Sequence, residues 1–248
     1  MEAGFYWFAV PAVLFAGISK GGFGSGAAFA ASAILALVVD PGTALGVMLP
    51  MLMLMDVAAL RPYWRRWRWR DARVLIAGSV PGVALGALLW RVADEDLIRL
   101  LIGLVALFFV AWQLARMRGL VRIRQVEAPG WLGLLAGLAA GFTSFVSHAG
   151  GPPVAVYLLA QGATKTAYQA TTVLVFWAVN LLKVVPYALL GIFTAQTLAA
   201  NLVLVPVALA GVWIGVRAHR LVPETLFFAI TYALLSLTGA KLVWEALT

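Results

Sequence analysis

The sequence predicts an all-α polytopic membrane protein, and three observations carry that prediction. Of its 248 residues, 63% are hydrophobic and 11% charged, more apolar material than a soluble domain of this length can bury. The apolar residues fall into ten runs, most of them near the roughly 20 residues that a spanning helix needs. The arginines collect in short loops between those runs, which is a pattern of membrane topology. The net charge of +8 is therefore not read as nucleic-acid binding. Cysteine is absent, and the two histidines, His148 and His219, lie far apart. Neither a disulfide framework nor a metal centre is expected, and the reading calls for no cofactor.

The runs occupy 5–19, 27–39, 43–60, 74–90, 97–115, 131–147, 153–160, 166–190, 197–216 and 226–246. The first follows Glu2 without a basic leader, so it does not read as a cleaved signal peptide. Two runs, 27–39 and 153–160, fall short of a span and read as short or half-length helices, either crossing or packed back on the run before them as re-entrant hairpins, and irregular backbone beside them needs protein or a cavity around it. About eight transmembrane helices plus these short or broken ones are expected. Asp40, Pro41 and Gly42 read as a turn, and Pro50, Pro81, Pro186 and Pro206 should kink their helices. Trp64, Trp67, Trp69, Trp90, Trp112 and Trp131 fall near run ends, as interfacial tryptophans do.

The two short runs each follow a break. The first break carries Gly17, Lys20, Gly21, Gly22, Gly24, Ser25 and Gly26; the second is Ser147, His148, Ala149, Gly150, Gly151, Pro152 and Pro153. Glycine lets backbone N–H groups turn toward a ligand, and a helix restarting after a break points its positive end into the gap. Breaks in corresponding places of two halves point to a transporter's substrate site. Close helix packing through small residues is the plainer account, and is preferred for Gly17 and Gly26 taken alone. The restarted helices should begin near Ser25 and Pro152, with the two breaks facing each other.

Orientation follows from charge. The loop 61–73 holds Arg61, Arg65, Arg66, Arg68, Arg70 and Arg73 against Asp71, and Arg116, Arg118, Arg122 and Arg124 follow the fifth run without an acid. Both loops should be cytoplasmic. Between them, Arg91, Asp94, Glu95 and Asp96 make a net acidic loop that falls outside, and both termini come out external.

The chain also repeats itself. Gly82, Val83, Gly86, Arg91, Glu95 and Leu97 match Gly211, Val212, Gly215, Arg220, Glu224 and Leu226 at an offset of 211 − 82 = 129. Asp56, Pro62 and Tyr63 match Asn180, Pro186 and Tyr187 at 186 − 62 = 124, which implies a small insertion between the blocks. The charge rule gives matched runs opposite directions. One integral membrane domain of two inverted-topology repeats, 1–124 and 125–248, is expected, a common plan for secondary transporters.

Ionisable side chains inside apolar runs are costly and are candidates for function. Lys20, Asp56, His148, Lys183 and Lys241 qualify. Lys241 is near enough to the end to snorkel. Asp56 is either a capping or snorkelling acid paired with Arg61, one turn on, or a functional group. Asn180 and Lys183, three apart on one helix face, suit an anion's oxygens, unless Lys183 snorkels past Pro186. Thr143, Ser144 and Ser147 either bond back to helix carbonyls or offer hydroxyls to a ligand.

On these residues the chain resembles the TauE/SafE sulfite exporter family of membrane permeases. The resemblance rests on Gly17, Lys20, Gly21, Gly22, Phe23 and Gly24; on Leu49, Pro50 and Asp56 with the basic loop after them; on 147–153; and on 180–187. It covers nearly the whole length. It implies about eight helices and the movement of small sulfur-containing anions such as sulfite or organosulfonates, with export named for some members. Some members carry further glycines where this chain has Ser25, Ala27 and Ala28.

The resulting expectation is a gradient-driven secondary carrier for a small anion in a bacterial inner membrane, in contact with lipid and not nucleic acid, with homo-oligomerisation left open. Lys20, Gly21, Gly22, Gly24, Ser25, His148, Gly150, Gly151, Asn180 and Lys183 would bind the substrate, and His148 and Asp56 would couple it to protons. No Gly-x-x-x-x-Gly-Lys-Ser/Thr motif is present, so ATP hydrolysis in this chain is not expected. The rivals are a passive anion channel, a non-transporting membrane scaffold and an intramembrane enzyme. The enzyme lacks a third member beside Ser147 and His148.

Overall fold

The computed structural model describes residues 1, 3–23, 28–121, 128–218 and 224–248. Within these residues the regular structure is all helical. The elements are α1 (Ala3–Ile18), a π-helical turn (Ser19–Phe23), α2 (Ala30–Leu35), α3 (Pro41–Leu60), α4 (Trp69–Val92) and α5 (Glu95–Met117), then α6 (Gly130–Ser147), α7 (Gly151–Ala160), α8 (Lys165–Leu189), α9 (Ala195–Ala218) and α10 (Glu224–Leu247). Every apolar run became a helix. Among the described residues six helices, α3, α4, α5, α6, α8 and α9, are long and apolar enough to cross a membrane. Large apolar side chains such as Leu189, Leu202, Leu237 and Trp244 stay exposed, as lipid-facing residues do. This is a multi-pass membrane protein.

Local chemistry sets several boundaries. The Asp40 carboxylate accepts from the Thr43 N–H at 2.8 Å and Pro41 opens α3, so the expected turn is a helix cap followed at once by helix. Asp94 caps α5 through the Leu97 N–H at 2.8 Å, and Thr164 caps α8. α6 stops at His148, whose φ of 57° lies in the left-handed region that few non-glycine residues adopt. The helices run through Pro50, Pro81, Pro186 and Pro206 without interruption.

α3 lies at the centre. Its Leu45 and Leu49 enter an apolar cluster with α4, α6, α7 and α8, while Met48, Met51 and Met55 enter another with α1, α2, α5, α9 and α10. α1 packs along α9, α4 along α6 and α5 along α10. The contacts are close because they are made through small residues. A side chain at Gly17 would collide with the backbone of Ala208 and Gly211, and one at Gly141 with that of Ser79.

Both short helices turn the chain back. The Gln161 side-chain amide, just past α7, donates to the Ala128 carbonyl just before α6 at 2.8 Å. Arg68 of the arginine loop donates to the Gln161 carbonyl at 2.7 Å. The α6–α7 hairpin therefore begins and ends at the arginine-loop face. α1 runs parallel to α9, with Gly17 against Ala208 and Gly22 against Gly215. It thus starts at the face where Thr194 and Asp40 line a common cavity, and α3 starts there too. The α1–α2 segment dips in from the face opposite the arginine loop.

Candidate functional site

The polar centre is built where both breaks meet α3 and α8. Asp56 on α3 is 0% exposed. One of its carboxylate oxygens is paired with the Lys20 ammonium from the π turn. The other accepts from the Asn180 amide on α8 at 2.7 Å. Neither the alternative partner Arg61 nor solvent is involved. A single π turn at such a place is a common functional device, since it rotates one side chain off the regular helical pattern.

One turn along α8, Lys183 is also 0% exposed, so it does not snorkel. Its ammonium donates to the Ser144 carbonyl and hydroxyl, each at 3.0 Å, and to His148 Nδ1 at 2.7 Å. With Lys183 as an ammonium, Nδ1 is the acceptor and the ring proton belongs on Nε2. His148 Nε2 is buried and turned to the Leu45 backbone, the one group that it can donate to among the described residues, though outside ordinary hydrogen-bond geometry. Among the described residues no carboxylate makes an ion pair with Lys183; those within ion-pair distance of a cation are Asp56, Asp71, Glu95, Asp96 and Glu245.

α8 touches both breaks. Its Gln169 amide donates to the Lys20 carbonyl at 3.1 Å, and its Lys183 holds His148. Tyr187, a turn beyond, donates to the Phe145 carbonyl at 2.6 Å and stacks edge-on against that ring, fixing α8 to the end of α6. The structure thus brings together Lys20, Asp56, His148, Asn180 and Lys183. Gly21 and Gly22 lie with their Cα faces against the backbone of Val212 and Gly215, so glycine is required there for close packing with α9. Gly150 packs against the Ala140 carbonyl and the Phe176 ring, and Gly151 opens α7 with Pro152 in its first turn. Gly24 and Ser25 lie outside the described residues; α2 begins at Ala30, after a turn at Ala28 and Phe29, and not near Ser25 as expected.

Of the hydroxyls before the second break, Thr143 and Ser147 bond back to the Ala139 and Thr143 carbonyls, and Ser144 meets Lys183. The sequence reading missed Gln169 and Asn201. Each is a buried amide within an apolar helix, and that isolation was the available signal. Lys241 is exposed and reaches Glu245 at 3.4 Å, as a snorkelling lysine does. A separate cavity of about 370 Å³ opens at the face opposite the arginine loop, lined by Asp40, Trp90, Asp94, Glu95 and Thr194 among others, and holds none of the central residues.

Helices with an apolar outer surface around a buried centre of two lysines, one carboxylate and a histidine define a multi-pass membrane protein of the transporter class. The family model described as Sulfite exporter TauE/SafE matches residues 9–242. The chain belongs to that family. No curated protein and no solved structure matches it.

Proposed function

We propose that the protein is a secondary carrier for a small anion, a sulfur oxyanion or an organosulfonate, exporting it from a bacterial cell across the inner membrane on an ion or proton gradient. The observation that supports this most is Lys183, a fully buried lysine whose described partners are all neutral. Two lysines around the one carboxylate of Asp56 give the centre a positive field within an apolar bundle, and such a field favours keeping a negatively charged group there at all times. His148 Nε2 adds a buried donor held only loosely, by the Leu45 backbone. Backbone N–H groups at Gly21–Ser25 and at Gly150 and Gly151 would complete the anion's contacts, and His148 and Asp56 are the groups that can exchange a proton with it.

The carrier reading includes two inverted repeats, 1–124 and 125–248. Contacts at matched positions support it. Gly17 meets Ala208 as Gly141 meets Ser79, with 141 − 17 = 124 and 208 − 79 = 129. The two hairpins enter from opposite faces, as an inverted pair must.

Thermal unfolding of the purified protein against sulfite, sulfate, thiosulfate, sulfoacetate and simple carboxylates tests the anion reading. A ligand at about 100 times its Kd should stabilise the fold by about 2.7 kcal/mol. Liposomes with an imposed pH gradient then test coupling. Flux that follows the anion's own gradient alone would make the protein a channel.

A further inference from the structure

We infer that the Asp56 carboxylate is an internal stand-in for the substrate, and that an anion takes its place on Lys20 and Asn180 only as Asp56 accepts a proton. The inference rests on the small-anion reading above and deepens it. Its basis is that the donors expected for the substrate are already engaged. Lys20 and the Asn180 amide both serve Asp56, one on each oxygen. The three hydrogens of the Lys183 ammonium are matched by Ser144 and His148.

A carboxylate, a sulfite and a sulfonate present the same face to such donors, paired oxygens sharing a negative charge. An arriving anion would therefore find its place taken by a group of like charge, and two anions cannot share that space at low cost. Protonation removes the conflict. Asp56 becomes neutral, gains an O–H that donates, and no longer holds the ammonium by charge. In that step one O–H bond forms on Asp56, the Lys20–Asp56 ion pair breaks, and a Lys20–anion pair forms. The centre loses one negative charge and gains one, so a monoanion and a proton bind together at one to one.

The groups facing Asp56 are Lys20 from the π turn and Asn180 and Lys183 from α8, with His148 beyond Lys183 and Tyr187 a turn further along α8. Of the other helices packed on α3, α2 carries no titratable side chain. α1 carries only Tyr6, α5 only Glu95, Asp96, Arg99 and Arg116 near its ends, and α9 only Arg217 in its last turn.

The test uses the full-length protein in detergent with methanesulfonate, which stays a monoanion throughout, so that any pH effect belongs to the protein. In weak buffer with a pH indicator, the wild type should take up about one proton per anion bound, and affinity should tighten by up to about tenfold per unit fall in pH. Asp56→Asn should bind without proton uptake and with a flat pH profile. His148→Gln should keep the uptake per bound anion, whatever its affinity. Binding to the wild type with no proton uptake overturns the inference and leaves the anion reading intact. Uptake that vanishes in His148→Gln moves the proton to the histidine and also overturns it, even if Asp56→Asn does not fold. Failure of methanesulfonate, sulfite, thiosulfate and sulfoacetate alike to bind the wild type defeats the anion reading itself, and this inference with it.

Discussion

The two central lysines should answer differently to removal, because one has a carboxylate and the other does not. Lys20→Met would leave Asp56 as a buried, unpaired charge, and breaking such a pair costs about 3–5 kcal/mol. Lys183→Met would remove a buried cation held only by neutral groups, so relief from burying the charge offsets the lost hydrogen bonds. Thermal unfolding in detergent should show a large loss for Lys20→Met and little or none for Lys183→Met. Anion affinity of Lys183→Met should fall by at least about tenfold, about 1.4 kcal/mol. A Lys183→Met protein that binds anions as tightly as the wild type would dismiss this lysine from the site. The importance of these side chains was legible in the sequence because a charge inside a run of leucines and valines has few innocent explanations. Their pairing was not. Asp56 had a nearby arginine, Arg61, and its true partner, Lys20, stands 36 residues upstream with no local signal joining them. Gln169 was passed over because an uncharged amide close to a helix start usually reads as surface.

At the scale of elements, the close contacts between α4 and α6 and between α1 and α9 depend on the absence of side chains. Gly141→Leu would force the α4 backbone at Ser79 away and should cost about 1–3 kcal/mol. A change at an exposed residue such as Leu202→Ala should cost much less. Comparing the two melting temperatures checks that the cost belongs to packing. Arg68 ties three elements together: its N–H donates to the Thr171 hydroxyl at 3.0 Å, its guanidinium to Gln161 at 2.7 Å, and it pairs with the buried Asp71 at 2.8 Å. Arg68→Ala should loosen the end of the α6–α7 hairpin, seen as faster amide exchange around Gln161 and Gly162 with slower change elsewhere. Helix positions were readable because most of the apolar runs end in charge, glycine or proline. The return of α7 to its starting face was one of two readings of its run, spanning or re-entrant, and long-range contacts of Gln161 with Ala128 and Arg68 decide between them.

For the whole molecule, the arginine-rich loop and the acidic loop should lie on opposite sides of the bilayer. A cysteine placed at Glu95 should be labelled by a membrane-impermeant reagent from outside, and one at Arg66 should not. The opposite pattern would reverse the assigned orientation while keeping the fold. Both positions lie in exposed stretches, so labelling reports sidedness and not burial. The two apolar clusters that share α3 also make that helix the place where movement of either half must be felt, and α3 is the helix that carries Asp56.

Asp56 and Asn180 stand at matched positions, 124 apart, and touch each other. In a two-fold arrangement only residues on the axis can touch their own counterparts. Two separate copies of a half-length chain, packed antiparallel about a two-fold axis, would have to place the same residue in both positions. Two aspartates there would repel or share a proton, and two asparagines would leave Lys20 without its counter-charge. A lone negative charge on the axis becomes possible only after the copies are joined in one chain and free to diverge. In the proposed inverted-repeat arrangement, joining the halves in one chain would do more than tether them: it would permit an odd number of charges at the centre of an otherwise even architecture. Asn180→Asp, which restores the symmetric pair, should therefore lower the melting temperature at neutral pH and recover part of the loss on acidification, as one proton comes to be shared.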